Sequence, residues 1–186
     1  FPPTRRTAWT ILRGLYPRSL VLLCMIVRAE TRHDVAAVRK VVEAAFDQVA
    51  EADLVDALRA TGAAAISMVA DDGGEIVGHV LFSKLQAPES CLALAPVSVT
   101  PRRQNQGVGS MLVRAGLAAA KGDGWRAVFV LGEPEYYERF GFRAATADKF
   151  ETVYPKPFFM ALELTAHALG GHTGAVIYAP PFRALD

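Results

Sequence analysis

A glycine-containing segment near the middle of the sequence has the residue types best suited to binding a charged ligand. It runs Gln104, Asn105, Gln106, Gly107, Val108, Gly109, Ser110, and an apolar pattern typical of a helix follows it. The first N–H groups of a helix lack partners within the helix, and the helix dipole favours an anion there. Glycine at these two positions lets a phosphate approach the main chain or permits a positive φ. The segment therefore predicts a phosphate site; the alternative is a turn that merely tightens strand–helix packing.

Other kinds of reactive site receive little support from the sequence. No G-x-x-x-x-G-K-[ST] segment is present, and no G-x-G-x-x-G follows the first predicted strand, which excludes an NTPase P-loop and a dinucleotide site of the Rossmann type. His167 and His172 lack a third metal ligand, so we expect no metal. Cys91 has no His or Asp tied to it by a motif, so a covalent nucleophile is not indicated.

Strand and helix patterns alternate along the chain and define the scaffold of the glycine segment. Strands are predicted over residues 26–29, 65–70, 75–85, 92–100, 127–131, 158–164 and 175–178. Helices are predicted from residue 35 to 46, over 52–61, from 107 to about 121, and as a short aromatic helix over 134–140. This order predicts one α/β (α+β) domain with a mixed, mostly antiparallel sheet. The glycine segment lies where a strand runs into a helix.

The composition is that of one globular domain. The chain has 186 residues, of which 52% are hydrophobic and 21% charged. Residues 1–24 hold four arginines and no acidic residue, so 16 of the 20 basic residues accompany all 19 acidic residues in the rest of the chain. That mildly acidic body lacks the basic face of a nucleic-acid binder, and we expect no nucleic-acid partner.

The first 24 residues differ from the rest of the sequence. They show no apolar periodicity, and the domain-like pattern begins at Met25, so we expect residues 1–24 to be an N-terminal extension outside the core and residues 25–186 to form the domain. The apolar run over 20–27 is too short to span a membrane, and no signal-cleavage site follows it. With two cysteines and no disulfide framework, the chain is expected in the cytoplasm.

Two segments together resemble one protein family. Gln104-x-x-Gly107-x-Gly109 resembles the [QR]-x-x-G-x-[GA] acetyl-CoA motif of the GNAT superfamily of N-acetyltransferases, and it has the same place between a strand and a helix. The stretch from Leu131 to Phe142 is similar to the L-G-x-P-x-Y-Y-x-R-F-G-F segment of some bacterial members. The resemblance extends over about residues 25–182 and implies a GNAT-like sheet with helices on both faces.

The resemblance also implies how a co-substrate, acetyl-CoA, binds. The strand before the motif would splay from its neighbour, so that the main chain of Val97 and Val99 hydrogen-bonds the pantetheine arm as an added strand would. The segment from Gln104 to Ser110 would hold the pyrophosphate. Arg102 and Arg103 are either contacts for the adenosine phosphate or solvated charges on a turn.

The chemistry implied by the resemblance is direct attack of a primary amine on the thioester. Tyr137 has the position of the family's general acid, four residues before Gly141, with Tyr136 as the alternative. Residues 92–100 carry no carboxylate, although many members have a catalytic Glu there. Glu133 is therefore our candidate base or ammonium anchor, with Glu89 and His79 after it.

Some features of the function stay open at this point. The acceptor is a small-molecule amine or an amine of a peptide or protein, and nothing in the loops over 46–62, 85–92 and 145–157 identifies it. An acidic cluster of Glu43, Asp47, Glu51 and Asp53 either attracts a cation or is a solvated helix face. A CoA-binding sensor or interaction module on the same fold, and an enzyme for longer acyl groups, are the alternatives. No membrane partner is expected, and a homodimer is considered.

Overall fold

A six-stranded sheet forms the centre of the protein, whose computed structural model describes residues 25–184. Its strand order is β1-β2-β3-β4-β5-β7, and every neighbouring pair is antiparallel except β4 and β5. The strands are β1 (Met25–Ala29), β2 (Ala64–Asp72), β3 (Glu75–Lys84), β4 (Cys91–Val99), β5 (Ala127–Leu131), β6 (Phe150–Glu151), β7 (Phe159–Glu163) and β8 (Gly174–Ala175). The predicted mixed, mostly antiparallel sheet is confirmed.

Helices cover both faces of this sheet, as predicted. They are α1 (Val35–Phe46), α2 (Ala50–Ala60), α3 (Val108–Gly122), α4 (Pro134–Tyr137) and α5 (Ala144–Ala147), with 3-10 turns at Pro101–Arg103, Glu138–Phe140 and Pro180–Ala184. Side chains of β3 alternate between the two faces. Phe82 packs with Leu112 of α3, whereas Leu81 packs with Val42 of α1 and Leu58 of α2. Within residues 25–184, no helix is both long and apolar enough to cross a membrane.

The beginning of α1 is held by a cluster of polar groups. Asp34 accepts hydrogen bonds from the N–H and the hydroxyl of Thr31, each at 2.8 Å. It also binds the guanidinium of Arg28, which reaches Asp71 as well. Thr31 and Asp34 were the predicted start signal, and α1 begins at the next residue, Val35.

Strands β4 and β5 separate after a short stretch of pairing. They pair over Cys91–Ala93 and Ala127–Phe129, whereas β4 stays paired with β3 as far as Val99. Within β4, Ala95 and Pro96 together oppose the single residue Leu81, which makes a β-bulge. The side of β4 that faces β5 therefore has no strand partner beyond the third pair.

The end of the chain departs from the prediction. Residues 175–178 were expected to form a strand of the main sheet, but Gly174–Ala175 pairs with β6 in a separate two-stranded sheet, and Ile177 makes an isolated bridge to Ala87. Arg143 exchanges two backbone hydrogen bonds with Ala161 of β7, so the outer edge of the main sheet is already partly paired. The strand β6 and the helix α5 were not predicted.

A buried polar cluster joins β1, β2, β3 and α2 beneath the helices. The imidazole of His79 is fully buried, and its Nε2 lies 2.8 Å from the hydroxyl oxygen of Ser67. Arg59 donates to Glu30 at 2.6 Å, and the Ser67 hydroxyl also donates to Glu30. Burial by itself would raise the pKa of Glu30, but hydrogen bonds from His79, Ser67 and Arg59 lower it to about 2. Burial lowers the pKa of His79.

Candidate active site

A cleft of about 570 Å³ lies where β4 runs into α3, and we call it the anion cleft. It is lined by Ala45, Phe46, Val97, Val99, Arg103, Gln104, Asn105, Gly107, Val108, Gly109, Ser110, Tyr136, Tyr137 and Arg139. The charged side chains in this set are two arginines, with no acid among the described residues that line it. The cleft therefore suits a negatively charged ligand.

The first turn of α3 presents its main chain to the anion cleft. Gly107 is the residue before the helix and has φ +84°, which favours glycine. Met111 is the first residue to donate back, to the carbonyl of Gly107. Within the described part of the chain, the N–H groups of residues 107–110 have no backbone acceptor. The predicted phosphate site is thus a turn with unpaired donors.

Gly109 is required for a close approach. A Cβ at this position would lie 2.7 Å from the hydroxyl oxygen of Tyr136 and 3.7 Å from a methyl carbon of Val99. The absence of a side chain therefore lets α4 and the end of β4 come together over the first turn of α3.

The main chain of Val97 and Val99 faces the opening between β4 and β5. Thr100 donates its N–H to the carbonyl of Val77, so the peptide groups of Thr100 and Ser98 point towards β3. Those of the alternate residues, Val97 and Val99, point the other way. One carbonyl is already used, because the side-chain amide of Gln104 donates to Val99 O at 3.0 Å and ties the turn to the strand end.

A second pocket, of about 430 Å³, lies beyond the opening, and we call it the aromatic pocket. It is lined by Phe46, Glu51, Leu54, Leu94, Ala95, Pro96, Val97, Phe129, Val130, Leu131, Tyr137, Tyr154, Tyr178 and Phe182. Phe46, Val97 and Tyr137 line both cavities, and we refer to these three residues as the neck. A group bound in one cavity can meet a group bound in the other at the neck.

The two neighbouring tyrosines have different positions. Tyr137 lines both cavities, whereas Tyr136 lines the anion cleft alone. Their rings meet edge to face at 4.9 Å, and Tyr137 makes a second such contact with Phe142 at 5.8 Å. A Cβ at Gly132 would lie 2.4 Å from the ring of Tyr137, so this glycine leaves space for it. Burial raises the pKa of Tyr137, and its hydroxyl is neutral at physiological pH.

The structure does not bring Glu133 or the other predicted bases to either cavity. Glu133 is exposed, and its carbonyl accepts the N–H groups of Tyr136 and Tyr137, which turns its carboxylate outwards at the start of α4. Glu89 is exposed in the loop before β4, at the opposite end of that strand from the neck. His79 is fully buried beneath α1 and α2.

Two residues of the predicted phosphate turn also lie outside the anion cleft. Gln106 is exposed and donates its side-chain amide to the carbonyl of Arg102 at 2.9 Å. Arg102 forms an exposed ion pair with Glu75. Arg103, in contrast, lines the cleft while it is paired with Asp72.

Sequence reasoning missed two charged residues of the cavities. Glu51 lines the aromatic pocket; it belonged to the predicted acidic cluster but was not distinguished from its neighbours. Arg139 lines the anion cleft, with its guanidinium carbon 4.2 Å from the centre of the Tyr136 ring. Its place inside the aromatic motif was the available signal. Among the residues with described positions, no group of three or more His, Cys, Asp or Glu is placed to hold a metal ion.

The sequence profile of the acetyltransferase (GNAT) family matches residues 35–142, which include α1, the glycine turn and the paired tyrosines. The chain belongs to this family of acetyltransferases. Among its GNAT relatives is the uncharacterized N-acetyltransferase YhbS of Escherichia coli K12, 34% identical over 164 residues, which cover 85% of this chain and 98% of YhbS. The uncharacterized N-acetyltransferase YjhQ of the same strain is 36% identical over 76% of this chain and 86% of its own length.

Solved GNAT structures have the same fold. The crystal structure of Escherichia coli YhbS in complex with CoA superposes with a TM-score of 0.80 at 32% identity, covering 86% of this chain and 92% of that one. A GNAT acetyltransferase from Brucella melitensis in complex with acetyl-CoA gives 0.73 at 37% identity, covering 85% and 97% of the two chains. The chain is therefore an acyltransferase with the complete GNAT architecture over its matched length.

Proposed function

We propose that this GNAT protein is an acetyl-CoA-dependent N-acetyltransferase that transfers the acetyl group to a primary amine by direct attack. The observation that carries the proposal is the neck, where Tyr137 borders the anion cleft and the aromatic pocket together. An enzyme that joins two substrates directly needs such a meeting point. The CoA and acetyl-CoA complexes of the two related structures support the anion cleft as the place of the co-substrate.

In this proposal the residues of the anion cleft bind the co-substrate. The peptide groups of Val97 and Val99 pair with the pantetheine arm, and the free N–H groups over 107–110 receive the pyrophosphate. Asn105 and Gln104 shape the turn, the latter through its bond to Val99 O. Arg139 and Arg103 add positive charge.

Acetyl transfer forms one C–N bond and breaks one C–S bond. The neutral amine nitrogen attacks the thioester carbonyl carbon, and the tetrahedral intermediate collapses with loss of the CoA thiolate. The amine nitrogen loses one proton to water, and the thiolate takes one proton from Tyr137, which solvent then replaces. Because burial raises the pKa of Tyr137, the hydroxyl stays protonated and donates a hydrogen bond as negative charge develops on sulfur.

The second candidate is a CoA-binding sensor or interaction module with no turnover. A sensor needs the anion cleft alone, whereas this chain has a second pocket of about 430 Å³ on the far side of the neck. That pocket favours the enzyme. The use of acyl groups longer than acetyl is a further alternative that activity assays separate.

The decisive experiment measures binding and turnover on the same protein. Calorimetry with acetyl-CoA is expected to show binding, and a panel of amines incubated with acetyl-CoA is expected to release free thiol and yield N-acetylated products by mass spectrometry. Tight binding without acetylation of any amine would favour the sensor. Higher turnover with butyryl-CoA than with acetyl-CoA would replace the acetyl assignment.

Several broader assignments remain proposals of ours. We assign residues 25–186 to one N-acetyltransferase domain of the bacterial subgroup with the L-G-x-P-x-Y-Y-x-R-F-G-F segment. We expect a cytoplasmic protein, since Cys91 is a buried free thiol whose pKa burial raises to about 11. A homodimer is tested by sedimentation of the purified protein.

A further inference from the structure

The aromatic pocket has a chemical character that limits what it can accept. Six of the side chains that line it are aromatic, and most of the rest are aliphatic. Among the described residues in its lining, Glu51 carries the single charge. The anion cleft is the reverse, since its charges are two arginines. A ligand of the aromatic pocket is therefore expected to be apolar with one positive charge.

Glu51 is placed to hold that charge. Its carboxylate accepts two hydrogen bonds from the side-chain amide of Gln48, at 2.8 and 3.0 Å, which fix it on the first turn of α2. No salt bridge among residues 25–184 includes Glu51. The nearby acids Glu43 and Asp53 instead pair with Arg39, at 2.9 and 2.8 Å. The acidic cluster thus leaves one carboxylate at the pocket without a cation.

The aromatic wall comes from segments outside the main sheet. Tyr178 meets Tyr154 edge to face at 6.3 Å and Phe182 at 5.1 Å. Rings arranged in this way offer faces and edges to another ring, and their faces attract a cation. Burial raises the pKa of Tyr178, so the wall carries no negative charge at neutral pH.

The rim of the pocket is also apolar. Phe46 and Leu131 line the pocket and remain 38% and 42% exposed. Val153 is 94% exposed next to Tyr154, and Ile177 is 44% exposed next to Tyr178. Large apolar side chains exposed together around a cavity are typical of a binding surface for an apolar ligand.

We infer that the acceptor is a small primary amine carried on an aromatic body by a short chain, and that Glu51 holds its ammonium group before the reaction. The inference rests on the proposed function and specifies its substrate class. Glu51 acts as a positioning residue. An acceptor with a carboxylate beside its amine would bring a second anion to Glu51 without a cation in the described lining to receive it, and a polyamine would bury charges among aromatic rings.

A substrate comparison tests the class. With acetyl-CoA fixed, 2-phenylethylamine is expected to show a kcat/KM at least about tenfold above those of phenylalanine, spermidine and n-butylamine, a difference of one lost or misplaced charged or aromatic contact. A preference for spermidine, for phenylalanine or for a peptide with a free N-terminus would overturn the inference and leave the N-acetyltransferase proposal intact. Acetylation of no amine, despite acetyl-CoA binding, would instead remove the proposed function itself.

A matched pair of variants tests Glu51. Glu51→Gln keeps the size of the side chain and removes its charge, so KM for 2-phenylethylamine should rise about 10- to 100-fold with a smaller change in kcat. Calorimetry with the amine and CoA together should show the same loss, while acetyl-CoA affinity is unchanged. Asp53→Asn, on the same turn but paired with Arg39, is the control. Equal KM values in the two variants would show that Glu51 does not hold the amine.

Discussion

At the scale of single residues, the chemistry depends on the hydroxyl of Tyr137. We predict that Tyr137→Phe lowers turnover by about 10²- to 10⁴-fold, the range for one positioned proton donor, while acetyl-CoA affinity hardly changes. The variant keeps the ring and its contacts with Tyr136 and Phe142. Steady-state kinetics with an acetylated amine and calorimetry with acetyl-CoA measure the two effects.

Tyr136→Phe is the matched control, because Tyr136 lines the anion cleft without reaching the aromatic pocket. If Tyr136→Phe loses turnover and Tyr137→Phe does not, the acid is the other tyrosine. The pH profile adds a second check. Since burial raises the pKa of Tyr137, its proton is retained above the ordinary tyrosine value, and kcat should not fall from tyrosine ionisation up to about pH 10.

At the scale of secondary-structure elements, the junction of β4 with α3 creates the anion cleft. We predict that Gly109→Glu abolishes measurable acetyl-CoA binding, because the new carboxylate would enter the anion site and its Cβ would crowd the Tyr136 hydroxyl. Ala118→Glu adds the same charge at an exposed position farther along α3 and should bind normally. Calorimetry and circular dichroism of both variants are the measurements. Normal affinity in folded Gly109→Glu would place the co-substrate elsewhere.

The sequence predicted these elements well where a local pattern governs them. The strand over 127–131 was located to the residue, and α1 and α3 were located to within one or two residues, because amphipathic periods and glycine boundaries are local signals. The final strand was not, because Gly174–Ala175 pairs with β6, a two-residue strand that carries no periodic pattern.

The same distinction applies to the site. The glycine turn and Tyr137 follow from short motifs, and the structure puts both at the anion cleft. The aromatic pocket instead joins Glu51, Val97 and Tyr178, which lie on distant segments that no motif connects. Glu133 was favoured because it stands beside the tyrosines in sequence, but the turn into α4 leaves its carboxylate exposed. Closeness along the chain was a poor guide to closeness in the cavity.

At the scale of the whole molecule, the buried cluster around His79 links stability to pH. Burial lowers the pKa of His79, so the unfolded state binds a proton below about pH 6.5 that the native state does not bind. Stability is therefore complete above that pH and decreases as the pH falls. We predict that the melting temperature of the protein drops more between pH 7.5 and about 5.5 than that of His79→Gln, which cannot titrate.

His33→Gln, at an exposed histidine, is the control and should follow the parent protein. Equal slopes for the parent protein and His79→Gln would show that the buried imidazole titrates normally. Glu30 adds a separate effect at lower pH. Because its pKa falls to about 2, its contribution is present above about pH 4.5 and is lost below it, outside the window of this comparison.

A further whole-molecule prediction concerns residues 1–24, which lie outside the described residues. Met25 begins β1, pairs with Asp72 and is 9% exposed within the main core. We therefore predict that a chain of residues 25–186 folds with an unchanged melting temperature and binds acetyl-CoA as the full chain does. Thermal melts of the two proteins measure this. A drop of many degrees would mean that the first 24 residues contribute to the core.

The two cavities open on different sides of a passage bordered by Phe46, Val97 and Tyr137. Ligands that enter a passage from its two ends can be replaced by one molecule that runs through it. A conjugate of CoA with an arylalkyl group, joined through the sulfur, would occupy both cavities and lose its translational freedom once rather than twice. The splayed strands thus define a template for a selective inhibitor, whose CoA half supplies affinity common to the family and whose aromatic half distinguishes this protein from its relatives.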